Sequence, residues 1–302
     1  MDTTVIVADL AARLRSAGAP DGLWVSAADA LRIGGWELGP EGACQGSRCV
    51  PLPPGVVRDG LLDLAGLARY LGQPVVHDST NDVWVIGESA DDLREGLGSL
   101  EAPDFTLPSA LSRRDHCRGA ETAGEWIRAA RPEHAALIDR THRVPALYGM
   151  VNVPTSVWID ERGRLVRWGE VAFVDNRWQA YTKSDMEPYL AGLRDWVRRG
   201  TASPFALTPA ELRRRLSPPT PEHALAAANF RMGEELHARG AAEDAVAYFK
   251  EAQRLHPENW RYKRQAWQLT DAERYYGTSF GAEVAKLGGR PYYPPLDLPS
   301  VE

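Results

Sequence analysis

A mixed α/β chain in three parts is what the sequence predicts, and three observations carry that expectation. Short β-prone runs separated by glycine-rich turns fill residues 21–98, helical and extended runs alternate over residues 101–199, and small, aromatic and proline residues recur at helix-pair spacing over residues 226–259. The 302 residues are comfortable for two or three domains. Their composition, 44% hydrophobic and 25% charged, is that of a chain that buries a core.

Charge and hydropathy narrow the function. With 35 Lys and Arg against 41 Asp and Glu, the net charge of −6 argues against a generally basic surface, so no nucleic-acid partner is expected. No run approaches the ~18 apolar residues of a membrane span. Asp2 and Asp9 interrupt the first apolar stretch, so neither a leader peptide nor a membrane partner is expected. The expected setting is cytoplasmic, where Cys44, Cys49 and Cys117 are reduced thiols by default.

Along the N-terminal module, residues 1–98, Val5, Leu10 and Leu14 with neighbouring alanines predict an amphipathic helix over 1–20. Leu23-Trp24-Val25 and Trp36-Glu37-Leu38 predict strands, Leu61–Leu71 a helix, and 74–77 and 83–86 two extended runs turned at Asn81-Asp82. The result is a small α+β module.

Residues 101–199 predict a helix at Ala120–Arg131, a short strand at Ala136–Asp139 and a helical turn at Val144–Tyr148. The alternation Thr155, Val157, Ile159, then Asp160-Glu161-Arg162-Gly163, then Leu165 and Val166 predicts a hairpin. Met186–Arg199 predicts a closing helix, with Tyr189, Leu190, Leu193, Trp196 and Val197 on its apolar face. Ala102-Pro103-Asp104-Phe105-Thr106-Leu107 resembles the opening segment of the redoxin family, which includes alkyl hydroperoxide reductase and thiol-specific antioxidant proteins and thiol-disulfide exchangers. Tyr148-Gly149-Met150-Val151-Asn152-Val153-Pro154-Thr155 resembles a second motif of that family, in the right order. The resemblance implies an α/β thioredoxin-like domain, a cis Val153-Pro154 bond, and Val153, Pro154 and Thr155 as one wall of a redox site. It also implies thiol-disulfide exchange or peroxide reduction on a thiol or disulfide substrate, without a cofactor.

That domain is truncated where its chemistry belongs. The family places a central strand, a helix bearing the nucleophilic Cys at its N-terminus and a second strand between the two motifs; here residues 108–119 alone fill the gap, and the chain holds no Cys-x-x-Cys. A natural deletion, a frame error or strands supplied from elsewhere in the chain would each account for it. Cys117 is the catalytic candidate, because Arg113, Arg114, His116 and Arg118 can stabilise a thiolate, and a solvated polar loop with an incidental Cys is the alternative. Cys44 and Cys49, four residues apart with Gly46 between them, form a candidate redox or metal-binding pair, or else two structural thiols. Arg48 next to Cys49 favours a reactive thiol. No metal is assigned, since no further Cys or close His pair completes a standard site.

After a proline-rich linker at 200–221, with a short helix at Pro209–Leu216, comes a C-terminal helical region at 222–285. Its Gly233, Leu236, Ala245, Phe249, Ala252 and Pro257 resemble one tetratricopeptide repeat, with another helix at Trp260–Ala272. One repeat is fewer than the roughly three that a free array needs, so it is expected to dock on the redoxin-like domain or add to a dimer. It offers a surface for a protein partner or serves as a helical cap. The Pro-rich tail, 286–302, is expected to lie extended across the body. The competing functions are therefore an impaired redoxin-type enzyme, a non-enzymatic scaffold, and a thiol or metal sensor at Cys44 and Cys49.

Overall fold

The computed structural model describes residues 2–8, 10–16, 22–107, 120–170, 173–290, 292–293 and 296–299; of residues 120–124 and 181 it describes the backbone alone. The chain is mixed α/β, with small sheets and a helical C-terminal region. Its first element corrects the expected helix over 1–20. Asp2–Val7 is strand β1 and Leu10–Arg15 is β2, an antiparallel pair turned where Ala8 takes φ 49°. The run Thr3-Thr4-Val5-Ile6-Val7 is β-branched throughout, and stiff χ1 rotamers fit a pleated strand better than a helix. Residues 3–6 are all buried, the pattern of a strand covered on both faces.

The N-terminal module continues through β3 (Trp24–Ser26), α1 (Ala27–Gly34), β4 (Glu37–Gly39), β5 (Gly42–Gln45) and β6 (Arg48–Val50). It then runs through β7 (Val57–Arg58), β8 (Leu61–Asp63), α2 (Leu64–Tyr70), β9 (Val75–Asp78), β10 (Val83–Ile86) and α3 (Ala90–Ser99). Helix α1 starts on Ser26, whose Oγ accepts from the Asp29 N–H at 3.1 Å, and stops at Gly35, which takes the left-handed φ of 68°. The helix expected over Leu61–Leu71 begins three residues late, because Leu61–Asp63 pairs with Trp24–Ser26 and buries Leu62.

Strands β2-β1-β10-β9 form the main sheet, with β1 parallel to β10 from Thr4 opposite Val83 to Val7 opposite Ile86. One face carries Val5, Leu14, Trp84 and Ile86 against Ile33 of α1 and Leu64 and Leu67 of α2. The other face, with Ile6, Val76, Val83 and Val85, meets Phe230, Met232 and Leu236 of α9 (Pro221–Ala238) and Phe249 of α10 (Ala242–Leu255). Helices on both faces make this a three-layer unit. The C-terminal helix pair thus covers the N-terminal sheet, and α9 also reaches the region at 101–199, where Glu234 lies 2.7 Å from His142, so the expected dock there is one of its two contacts; the other expectation, addition to a dimer, concerns a second chain. Gly233 lets α9 and α10 close up, since a Cβ there would lie 2.6 Å from the Phe249 ring.

Between the two halves of that unit lie α4 (Ala120–Ala130), α5 (Arg143–Leu147), β11 (Ser156–Ile159), β12 (Leu165–Glu170), α6 (Gln179–Thr182), α7 (Glu187–Arg199) and α8 (Pro209–Arg215). Strands β11 and β12 make a two-stranded sheet, lengthened only by an isolated bridge between Glu101 and Arg164. Among the described residues no strand from elsewhere joins it. The strand expected at 136–139 is reduced to a single bridge residue, Leu137, and Asp139 accepts from the N–H groups of Arg143 and Val144 at 2.9 and 2.8 Å at the start of α5. Two small cores hold this region together. Leu100, Tyr148, Leu165 and Leu212 form one, and Trp158, Val166, Tyr189 and Phe205 the other, onto which Leu296 and Leu298 of the tail pack. Arg167, 1% exposed, ties the second core to the tail by donating to the Phe205 and Asp297 carbonyls at 2.8 and 2.6 Å. The chain closes with α11 (Trp260–Leu269), α12 (Ala272–Tyr276) and α13 (Phe280–Ala285). No helix among the described residues is long and apolar enough to cross a membrane.

Candidate functional site

The Val153-Pro154 bond is cis, and the loop that carries it is built from the residues before it. Gly149 takes φ 59°, turning the chain out of α5. Asn152 is buried and accepts from the Val153 N–H at 2.9 Å, while its own carbonyl accepts from the Thr155 hydroxyl at 2.5 Å.

The outer carbonyls of this loop are taken by the C-terminal region. Arg261 on α11 donates to the Met150 carbonyl at 2.8 Å through its guanidinium and to the Val151 carbonyl at 3.3 Å through its backbone N–H. The Val153 carbonyl accepts from the Tyr293 hydroxyl at 3.1 Å and from Arg264 at 3.3 Å, and Tyr292 donates to the Asn152 side chain at 3.1 Å. Each carbonyl from Met150 to Val153 therefore has a donor inside the chain. Arg261 is itself buried. Burial pushes its guanidinium pKa down, against the opposing pull of Tyr262, Glu234 and Asp139.

The three residues expected to form one wall do not share one cavity. Val153 lines a cleft of about 280 Å³ with His142, Phe230, Arg261, Arg264 and Gln268. Thr155 lines a different cleft, of about 330 Å³, with Trp168, Trp260 and Tyr292. The first holds two guanidiniums and an imidazole, and His142 Nδ1 lies 2.7 Å from a Glu234 carboxylate oxygen. None of the described residues lining either cleft is a cysteine. Arg and amide donors together match carboxylate or phosphate oxygens in type, while the Arg261 and Arg264 guanidiniums each already donate to a loop carbonyl and His142 faces Glu234.

The chain matches no protein-family model, and no curated protein or solved structure is significantly similar to it.

Cys44 and Cys49 are bonded to each other, with an S–S distance of 2.03 Å. The expectation of reduced thiols is overturned for this pair, and a bonded pair offers no thiolate to a metal. The cause is local. Gly46, at φ 60°, and Ser47 turn β5 into β6, and the register sets Cys44 directly opposite Cys49 with the Cα atoms 4.0 Å apart. Cys49 is exposed and Cys44 half-buried. Arg48 does not serve the sulfur as expected, for it pairs with Asp92 at 3.0 Å. Cys117 lies outside the described residues.

Arg261, Arg264, Tyr292 and Tyr293 were not legible as partners of the proline loop. Their contacts with it join residues more than a hundred positions apart, and no local spacing encodes such a contact. The signal that was present is composition. An Arg-rich helix and a Tyr-Tyr pair next to a proline run are unusual for a free surface tail.

Proposed function

We propose that this chain is a binding protein of thioredoxin-like descent, in which the loop around Pro154 has become an internal docking surface and the cleft beside it receives an anionic group of a partner. The observation that carries this reading is the double acceptance at the Val153 carbonyl, from Tyr293 and Arg264. A carbonyl already bonded to its own chain is not free to pair with an extended substrate. The cationic side chains of the cleft supply attraction without a nucleophile. The resemblance of α9 and α10 to a tetratricopeptide repeat adds little to partner binding in this reading, because their inner surface is spent on the N-terminal sheet.

The experiment is a turnover assay on the full chain with a protein disulfide plus dithiol, and separately with hydrogen peroxide. Turnover at the background rate, unchanged by Cys117→Ser and by the Cys44→Ser/Cys49→Ser pair, is the expected result. Turnover that Cys117→Ser abolishes would overturn the binding reading and restore a redoxin-type enzyme.

A second reading, a thiol sensor, is favoured by one observation: the Cys44–Cys49 disulfide is at the surface, with Cys49 exposed to an attacking thiolate. Thiol titration of the unfolded, non-reduced chain is expected to find one thiol of the three cysteines, and all three after mild reduction. The loop that the disulfide closes is short, so reduction is expected to cost about 2 kcal/mol, read as a lower urea midpoint. Three free thiols before reduction would remove the sensor reading.

A further inference from the structure

One cluster lies outside both the proline loop and the disulfide. His223 stands in the first turn of α9, its N–H held by the capping Thr220 hydroxyl at 3.2 Å, while His256 follows the last residue of α10 and Glu258 comes two residues later. Antiparallel packing of α9 on α10 brings the start of one helix to the end of the other. The two imidazoles stack with centroids 3.7 Å apart and planes 4° from parallel. One Glu258 carboxylate oxygen lies 3.4 Å from His223 Nε2 and 3.7 Å from His256 Nε2. A ligand atom from each of the three residues falls within 4.8 Å of the others.

The two separations from Glu258 come close to those of a coordination shell. Nitrogen and oxygen ligands about 2.0–2.1 Å from a tetrahedral zinc ion lie roughly 3.3 Å from one another. We propose that His223, His256 and Glu258 form a divalent-metal site of the zinc type, with two imidazole nitrogens, one carboxylate oxygen and a fourth position for water. Mixed nitrogen and oxygen donors select borderline ions such as zinc or cobalt over calcium or magnesium. The buried His256 is the fixed member, and the exposed Glu258 opens the site to solvent. With the rings 4° from parallel their in-plane lone pairs run side by side, so metal uptake requires His223, with about a quarter of its side chain exposed, to tilt until both converge. Asn259 Nδ2 lies 3.5 Å from His256 Nδ1, at the outer limit of a hydrogen bond. Arg261, the cation facing His256, is turned to the Met150 carbonyl. A bound ion would fasten the two ends of the helix pair together. The site is independent of the function proposed above.

The test is titration of the chelator-stripped full chain with Zn²⁺ by calorimetry and with Co²⁺ by visible absorption. Expected are uptake of one ion per chain, tetrahedral cobalt bands without a sulfur charge-transfer band, and a higher melting temperature with zinc. Glu258→Gln and His223→Gln are each expected to weaken uptake at least about tenfold while leaving the metal-free melting temperature unchanged. Absence of saturable uptake overturns the proposal. So does uptake that survives both substitutions, since the ion would then sit elsewhere, for example on Cys117.

Discussion

Replacing Phe249 with Ala is expected to destabilise the chain by about 3–5 kcal/mol, and to lower the stability of the N-terminal sheet together with that of the helices. Phe249 is fully buried. Its ring lies against Gly233 on α9 and 5.2 Å, centroid to centroid, from Phe230. The loss is large because the ring belongs to a core that also holds Ile6, Val83 and Val85 of the main sheet, and a rigid interior relaxes only in part around the cavity left behind. Urea unfolding followed by far-ultraviolet circular dichroism and by hydrogen exchange at the amides of the main sheet checks it. Coincident transitions, both shifted to lower urea, are expected. A sheet signal that keeps its wild-type midpoint while the helices unfold early would show that the two layers are not one cooperative unit.

Arg167→Ala is the second substitution with a large expected effect, about 3–5 kcal/mol near neutral pH. The guanidinium pairs with Glu170 at 2.7 Å, donates to the Phe205 and Asp297 carbonyls, and lies over the Trp158 ring at 5.5 Å. Removing it strands a mostly buried carboxylate and takes the donor from the Phe205 carbonyl, while the Asp297 carbonyl keeps Arg215 at 3.3 Å. The pH dependence has a defined sign. Burial pushes the Glu170 pKa above its ordinary 4.5, and Arg167 is the first of the charges that pull it back down. Without Arg167 the folded-state pKa rises further. A carboxyl with a raised folded pKa contributes most below its unfolded pKa, and that contribution is lost as pH rises through the folded value. The deficit of Arg167→Ala is therefore expected to shrink as pH falls toward the ordinary glutamate range. Urea midpoints of variant and wild type measured across that range would contradict the account if the gap stayed constant or widened on acidification.

Local chemistry was legible wherever the signal lay within a few residues. The hairpin of β11 and β12 turns at Gly163, with φ 76°, and Asp160 accepts from the Arg162 and Arg164 N–H groups, as an Asp-x-x-Gly turn should. Helices α7 and α8 formed on their apolar spacing and their first-turn prolines. Gly233 and Phe249 met as the helix-pair spacing implied. The first hairpin was misread because Val5, Leu10 and Leu14 fit a helical stripe, while the β-branched run beside them was the stronger signal. What stayed hidden was non-local. The parallel register of β1 on β10 joins Thr4 to Val83, and periodicity shows that a face is apolar without showing what covers it. The sequence of α9 carries one clue: Ala224, Ala226, Ala228, Phe230, Met232, Gly233 and Leu236 are small or apolar around most of its circumference, and all are buried. A helix apolar nearly all round needs cover on more than one side, and a single partner helix cannot supply it.

The same arrangement sets an order of events during synthesis. The main sheet has all four strands once Ile86 has left the ribosome, but the helices that cover its second face end only at Leu255. About 170 residues of translation separate the two, roughly 10–30 s at ordinary elongation rates. Through that interval Ile6, Val76, Val83 and Val85 have no permanent cover, so the nascent chain is a client for whatever shields apolar strands near the exit tunnel.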